Sequence, residues 1–568
     1  MPLGNRLNGR STSTLAFVIA ALIATGLWAR STIHSDEPAR VMGVTIWSGA
    51  MSFPSGYTVA AGQTVELNPN ANTTIDLGGN LLVQGTLRSW PAPGFTHVIR
   101  FTGITETSFV GGGDVPLASD KGLWVAGAGN LDLSGTPKLA WTRAAGTLAK
   151  GATTATLSEA AAGWQVGDEV LISPTENPNV AGFSTHHEIR TLTSVSGSSV
   201  GFAALTYPHP QVTVKAGTTY GAEVVNLTRN MRIEGTDITH RTHVWIKSSK
   251  PQSVRNVAIR YVGPQKSGDT IMGRYGLHFH RSGEGSRGSL IEGVVVRQAG
   301  AFAFVPHASN GITFRNTAAF DTQSGAYWND PGEAEKPSDT VYDRALAGYV
   351  RPAPAENPFR TTAFFLGRGD GNKCLGCVTF GVQGSKNTSG FGWPEGEVGV
   401  WTFEDSVAHN NLQDGIFTWQ NGPATHTIAR FVAYYNGKSG IEHGAYTNSY
   451  AYDDVILYGN KIAGIQLHAE SKAPPMTRMQ FARTYLDGAG ITKYGYLLER
   501  PTNVDQPPVL VCQNVIQSLT GPMYFVNYTG ADATVAERLE ITASCSGAPA
   551  PSASPTPTPT PSPPTGSR

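Results

Sequence analysis

The sequence predicts an all-β chain dominated by a parallel β-helix, and three observations carry that prediction. The first is a repeat. Gly276-Leu-His-Phe-His, Gly300-Ala-Phe-Ala-Phe, Gly325-Ala-Tyr-Trp, Gly390-Phe-Gly-Trp, Gly415-Ile-Phe-Thr-Trp, Gly440-Ile-Glu-His, Gly464-Ile-Gln-Leu-His and Gly490-Ile-Thr-Lys follow one another at steps of 24, 25, 65, 25, 25, 24 and 26 residues. A period of about 24–25 residues is one solenoid turn of three short strands and their corners. The second is composition: 66 glycines among 568 residues and only 15% charged residues suit a turn-rich β protein. The third is alternation of apolar and polar residues within short runs bounded by Gly and Asn.

Side chains of a strand alternate between faces, so the repeat sets a register. The position after each Gly reads Leu277, Ala301, Ala326, Phe391, Ile416, Ile441, Ile465 and Ile491, an apolar column expected to fill the interior. The second position reads His278, Phe302, Tyr327, Gly392, Phe417, Glu442, Gln466 and Thr492, and the fourth includes His280, Phe304, Asn329, Trp419 and His468. Rings, imidazoles, amides and carboxylates in these columns are expected to face outward. Such a surface suits a sugar chain, whose apolar face stacks on aromatics while its hydroxyl edge takes hydrogen bonds; the rival reading puts some of these rings under a covering loop.

Before the repeat, Ile46 to about Gly112 alternates in short strand-like runs, giving a β-rich domain over 40–120. Strands continue through a connecting region, 121–250. There Asp168, in Trp164-Gln-Val-Gly-Asp168-Glu169, reads as a turn residue bonding backbone amides, and His186-His187-Glu188 carries little specificity. The β-helix proper spans 251–500. Its 65-residue step has room for one further rung and an excursion, expected over Pro331 to Pro358, and 501–546 is expected to cap the end. The Pro/Thr/Ser tract at 547–568 cannot build a core.

Residues 1–29 carry Arg6 and Arg10 ahead of the apolar run Leu15 to Trp28, the pattern of a signal peptide. The alternative is an uncleaved anchor, which alone would tie the chain to a membrane. Export makes the chain secreted or cell-surface and favours two disulfides, Cys374–Cys377 and Cys512–Cys545. The formal net charge of zero gives no argument for a nucleic-acid partner; a monomer with a polysaccharide partner is expected.

Two stretches resemble a known family. Trp47 to Leu87 is similar to the G8 domain, and Gly273-Arg274-Tyr275-Gly276-Leu277-His278-Phe279-His280 resembles the Gly-Arg-Tyr-Pro-Ile-His-Phe-His motif of the same family. Its animal members include the cell-migration-inducing hyaluronan-binding protein, transmembrane protein 2 and the fibrocystin-like proteins. Gly276 and Leu277 depart from that motif. The resemblance implies a G8-like domain at 40–120 followed by a right-handed parallel β-helix, with hyaluronan binding and, in some members, hyaluronan depolymerisation. It marks Arg274, His278 and His280.

Rungs stack about 4.8 Å apart, so His278 and Glu442, six or seven rungs apart, cannot share a reaction centre. The ladder therefore divides in two. The first candidate site gathers Arg274, His278, His280, Tyr327 and Asp330 as catalytic residues, with Phe302, Phe304 and Asn329 for substrate. A lyase would use a His or Tyr base with Arg274 or Asn329 steadying an enolate; a glycoside hydrolase would need two carboxylates. His278 and His280, with Asp330 or His307, could instead hold a divalent metal, calcium or zinc. The second site gathers Phe417, Trp419, Glu442, Gln466 and His468 for glycan binding. An enzyme of one of these two classes is preferred to a non-catalytic binding or adhesion protein.

Overall fold

The computed structural model describes residues 43–330, 336–355, 361–385, 387–393, 399–419, 425–444, 450–468, 479–499, 509–527 and 539–545. Their strands sort into three long parallel sheets of 15, 14 and 14 strands. Successive turns of chain add a strand to each sheet, which is a right-handed parallel β-helix.

The ladder is longer than the glycine repeat. It opens with Val44–Trp47, Gly49–Phe53 and Tyr57–Val59. In the next turn Val44 lies opposite Thr64, Gly49 opposite Thr73 and Tyr57 opposite Leu81. The G8-like stretch and the solenoid are thus built into the same three sheets. After Asn130–Ser134 the chain leaves the ladder and returns at Met231–Glu234, which pairs with His97–Phe101 across the gap. The excursion between them folds as a six-stranded antiparallel sheet with a separate hairpin. Its Trp141, Leu171, Val212 and Val225 pack on Val295, Ala318, Leu346, Val378, Val407 and Val432 of the second sheet. Asp168 accepts hydrogen bonds from Lys138 Nζ at 2.6 Å, Asn226 Nδ2 at 2.9 Å and the Gln165 amide at 3.0 Å, a structural role as expected.

Within the third sheet the inward column is Leu277, Phe304, Tyr327, Phe364, Phe391, Ile416, Ile441, Ile465 and Tyr496. Two expected outward residues, Phe304 and Tyr327, are therefore interior. Their rings stack at 4.9 Å, and Tyr327 stacks on Phe364 at 4.3 Å. The cause is local: Gly-Ala-Phe-Ala-Phe offers two alternations, and the strand begins only at Phe304, so the two large rings take the volume that the alanines leave empty. The 65-residue step does hold one extra rung, but its strands Val341–Asp343 and Leu346–Arg351 fall within the expected excursion.

Cys512 and Cys545 are disulfide-bonded, and between them Val515–Gln517, Tyr524–Asn527 and Leu539–Thr542 continue the ladder. Cys374 and Cys377 are not bonded. They straddle the left-handed corner at Gly376 and turn into the core as buried thiols, 2.7 Å apart, with Cys377 Sγ also near the Tyr342 carbonyl. No helix among the described residues is long and apolar enough to cross a membrane. The segments 1–29 and 547–568 lie outside the described residues.

Candidate functional site

The strands Leu277–Gly283 and Phe304–Ser309 are neighbours in the third sheet, and their register sets His280 beside His307. His278 joins them from two residues earlier on the same strand. The three rings lie 4.9 to 5.8 Å apart, and His280 Nδ1 is 3.2 Å from His307 Nδ1. His278 donates from Nδ1 to the Gly273 carbonyl at 2.9 Å, leaving Nε2 buried without a hydrogen-bond partner. His280 donates from Nε2 to Asp114 Oδ1 at 2.6 Å. Asp330, 6% exposed, brings Oδ2 within 3.7 Å of His307 Nδ1.

These residues line a cavity of about 500 Å³ together with Gly112, Gly113, Asp114, Met272, Tyr275 and Trp328. Phe302 stacks on Trp328 at 4.2 Å behind the wall. Burial holds two of the imidazoles neutral: His280 is pulled down to about 4, against the opposing pull of Asp114, and His278 lies well below the ordinary range. Asp114 is lowered to about 2, first by the hydrogen bond from His280 and further by Lys247 and Arg281. At neutral pH the cavity therefore presents imidazole lone pairs beside ionised Asp114.

Arg274 is not part of this wall. Its guanidinium is fully buried, donates to Asp120 Oδ2 at 2.7 Å and to the Gly112 carbonyl at 2.9 Å, and lies over the Trp124 ring at 4.5 Å. Asp120 also accepts the amides of Val110 and Gly111. The pair thus pins the 110–114 loop, which brings Asp114 to the cavity. At Gly111, with φ +75°, an added Cβ would sit 2.7 Å from Ile271 Cγ2, so the loop passes too close for a side chain. Tyr327 is an interior residue whose hydroxyl lies 2.9 Å from Thr317 Oγ1, so it reaches no substrate. Asn329 is buried and donates to the Arg368 carbonyl at 2.8 Å; it is a brace, not part of the cavity lining. Of the expected first site, His278, His280 and Asp330 converge. Sequence reasoning undervalued His307 and missed Asp114, Tyr275 and Trp328. The Gly111-Gly112-Gly113-Asp114 run signals a loop needing unusual backbone, but not which surface it meets.

The second site lies about 30 Å along the ladder, six rungs on. Phe417, Glu442 and Gln466 are in register there but nearly buried. Glu442 forms an ion pair with Lys438 and a hydrogen bond of 2.8 Å with His468 Nε2. Gln466 donates to Glu499 Oε2 at 2.9 Å. Asp414, unmarked in the sequence reading, accepts the Ser439 amide at 3.0 Å and lies 3.6 Å from Lys438 Nζ. Burial, then the Glu442 charge, pushes Asp414 far up. Burial also acts to raise Glu442, but the His468 hydrogen bond and the Lys438 charge hold it below the usual range. A carboxyl held toward its protonated form thus sits in a pocket of charge pairs. Trp419 packs on Phe417 at 5.4 Å, and both rings cover Gly444.

No family model matches the chain. It is similar to fibrocystin-L of Homo sapiens, 26% identical over 265 residues, covering 39% of this chain and 6% of that protein. It is also similar to a G8 domain-containing protein of Dictyostelium discoideum, 27% identical over 249 residues, covering 42% of this chain and 21% of the relative. The chain thus spans about a fifth or less of these relatives. Among solved structures, it aligns with the catalytic domain of a GH87 α-1,3-glucanase at TM-score 0.41 and 10% identity, covering 71% of this chain and 89% of that one. The mannuronan C-5 epimerase A-module of Azotobacter vinelandii aligns at TM-score 0.34 and 15% identity, covering 55% and 81%.

Proposed function

We propose that the protein binds and cleaves a polysaccharide, an acidic or amino-sugar polymer of glycosaminoglycan type, outside the cell. The observation that carries this reading is the His278–His280–His307 cavity, walled by Tyr275 and Trp328. A volume of about 500 Å³ holds one or two sugar units. Tyr275 and Trp328 offer ring faces to a pyranose, while Arg281, which also contacts Asp114 at 3.1 Å, offers a cation to a uronic carboxylate. Neutral imidazoles can accept the proton of a polarised C–H or O–H bond, and Asp114 and Asp330 flank them on either side. The Cys512–Cys545 bridge supports an oxidising, extracellular setting.

The test is size analysis of a polysaccharide panel, including hyaluronan, after incubation with the full-length protein and with His278→Ala/His280→Ala. The expected outcome is chain shortening that falls at least about 100-fold in the double variant. New ultraviolet absorbance from an unsaturated product marks elimination; its absence with continued shortening marks hydrolysis. Retention of polymers on immobilised protein without shortening would replace the enzyme reading by carbohydrate binding.

A further inference from the structure

We propose that His278, His280 and His307 form a three-histidine site for a divalent transition metal of the zinc class, with its open position facing the cavity. Among the described residues this trio brings three ligand atoms within 4.8 Å of one another. At metal–nitrogen distances of about 2.0–2.1 Å, tetrahedral geometry separates neighbouring ligand nitrogens by about 3.4 Å. The 3.2 Å between the Nδ1 atoms of His280 and His307 is close to that spacing. A hydrogen bond between the two rings would account for that distance alone. It leaves unexplained the buried, partnerless Nε2 of His278, which lies in the same group.

The surroundings prepare the donors. Asp114 takes the Nε2 proton of His280 and leaves Nδ1 as a lone pair; the Gly273 carbonyl takes the Nδ1 proton of His278 and leaves Nε2. Carboxylates and carbonyls on the far ring nitrogen are the usual supports of metal-bound histidines. Asp114 and Asp330 also supply negative charge against a dication. All-imidazole ligation suits zinc, copper or nickel and not calcium, which takes oxygen ligands. The donors come from two adjacent strands of a sheet, so the ladder itself fixes their spacing. The site does not depend on which polymer enters the cavity.

The full-length protein would be stripped with a chelator and titrated with cobalt(II) and zinc. Visible absorption would be followed for cobalt, and bound zinc measured by elemental analysis. Stoichiometric uptake with the intense bands of tetrahedral cobalt is expected. His278→Ala and His307→Gln should each weaken uptake more than about 100-fold, and Asp114→Asn by about 10- to 100-fold. Circular dichroism and melting of each variant separate lost ligands from lost folding. If His278→Ala does not fold, the less deeply buried His307→Gln alone decides. Wild-type protein that takes up no stoichiometric cobalt or zinc overturns the proposal, as does unchanged uptake by a folded His307→Gln. Metal uptake without polymer cleavage would retire the enzymatic reading and keep the site; cleavage by protein that takes up no metal would do the reverse.

Discussion

Arg274 and His278 stand four residues apart in one motif and do different work. His278 turns to the cavity, whereas Arg274 fastens the loop that closes one side of it. Both Arg274 and Asp120 have fully buried side chains, so removing one partner strands a charge away from water. Arg274→Met should cost about 3–5 kcal/mol of stability, measured by urea unfolding. Replacing Arg274 and Asp120 together by apolar residues should recover much of that loss. A single-variant penalty under about 1 kcal/mol would mean that the loop is held by other contacts. Because Asp114 rides on this loop, a folded Arg274 variant should also lose part of the His280–Asp114 hydrogen bond.

At the scale of elements, the corners carry as much information as the strands. Between the second and third sheets, Asn410, Tyr435 and Gly459 adopt positive φ of 49°, 53° and 58°, each followed by an asparagine. Asn411 Nδ2 donates to Asn436 Oδ1 at 3.0 Å, and Asn436 Nδ2 to Asn460 Oδ1 at 2.9 Å. The same Asn436 oxygen also accepts the Asn411 backbone amide at 3.2 Å. Asn436→Ala leaves buried donors and an acceptor open on both neighbours and should cost about 1–3 kcal/mol, read as a lowered urea midpoint. A midpoint equal to wild type would show that water replaces the amide.

The strands explain which parts of the fold were legible. At Gly440-Ile and Gly464-Ile the inward position is unambiguous and the register was right; at Gly490-Ile it was not, because Gly490 sits in a left-handed turn before the strand and Tyr496 takes the inward place expected of Ile491. Phe302 and Phe304 could each have been the inward ring, and only the packing of the next turn decides between them. The first turns advance by 20 and 22 residues, from Val44 to Thr64 to Thr86, and the inserted sheet then interrupts the count. Those turns therefore fell outside the 24–25 residue period. The His pair was legible because i and i+2 share a face. Asp114 was not, because it comes from a loop far earlier in the chain, and Asp414 before a Gly reads locally as a turn residue.

For the whole molecule, buried neutral histidines make stability depend on pH. Burial lowers His187, His280 and His426 to about 4 and His243 to about 3 from the ordinary 6.5, and it also holds His278 well below 6.5. Between about pH 4 and 6.5 the unfolded chain binds these protons and the folded chain does not. Stability therefore rises with pH across that window and is lost as pH falls through it, by up to about 1.4 kcal/mol per pH unit per ring. Asp414 opposes this, since its raised value keeps a proton on the folded chain. Asp114, depressed to about 2, adds nothing inside the window; its contribution is lost only below it. The melting temperature should fall steeply from pH 6.5 to 4.5, and a flat profile would contradict the burial of these rings.

The inserted antiparallel sheet has a mechanical consequence. A solenoid couples each turn only to its neighbours, so tension along its axis would peel turns away one at a time. The insert reaches across several turns at once. Trp141 donates to the Arg344 carbonyl at 3.0 Å, Asn410 to the Glu176 carbonyl at 2.7 Å, and Lys461 to the Pro178 carbonyl at 3.3 Å, while His409 Nε2 makes a buried hydrogen bond of 3.0 Å with Glu223 Oε2. These contacts, with the packing on Val295 and Ala318, load the turns between Val295 and Lys461 in parallel, so that stretch acts as a splinted beam. Turns before and after it would yield first, and the segment bearing the Asp414–Glu442 pair lies inside the splint.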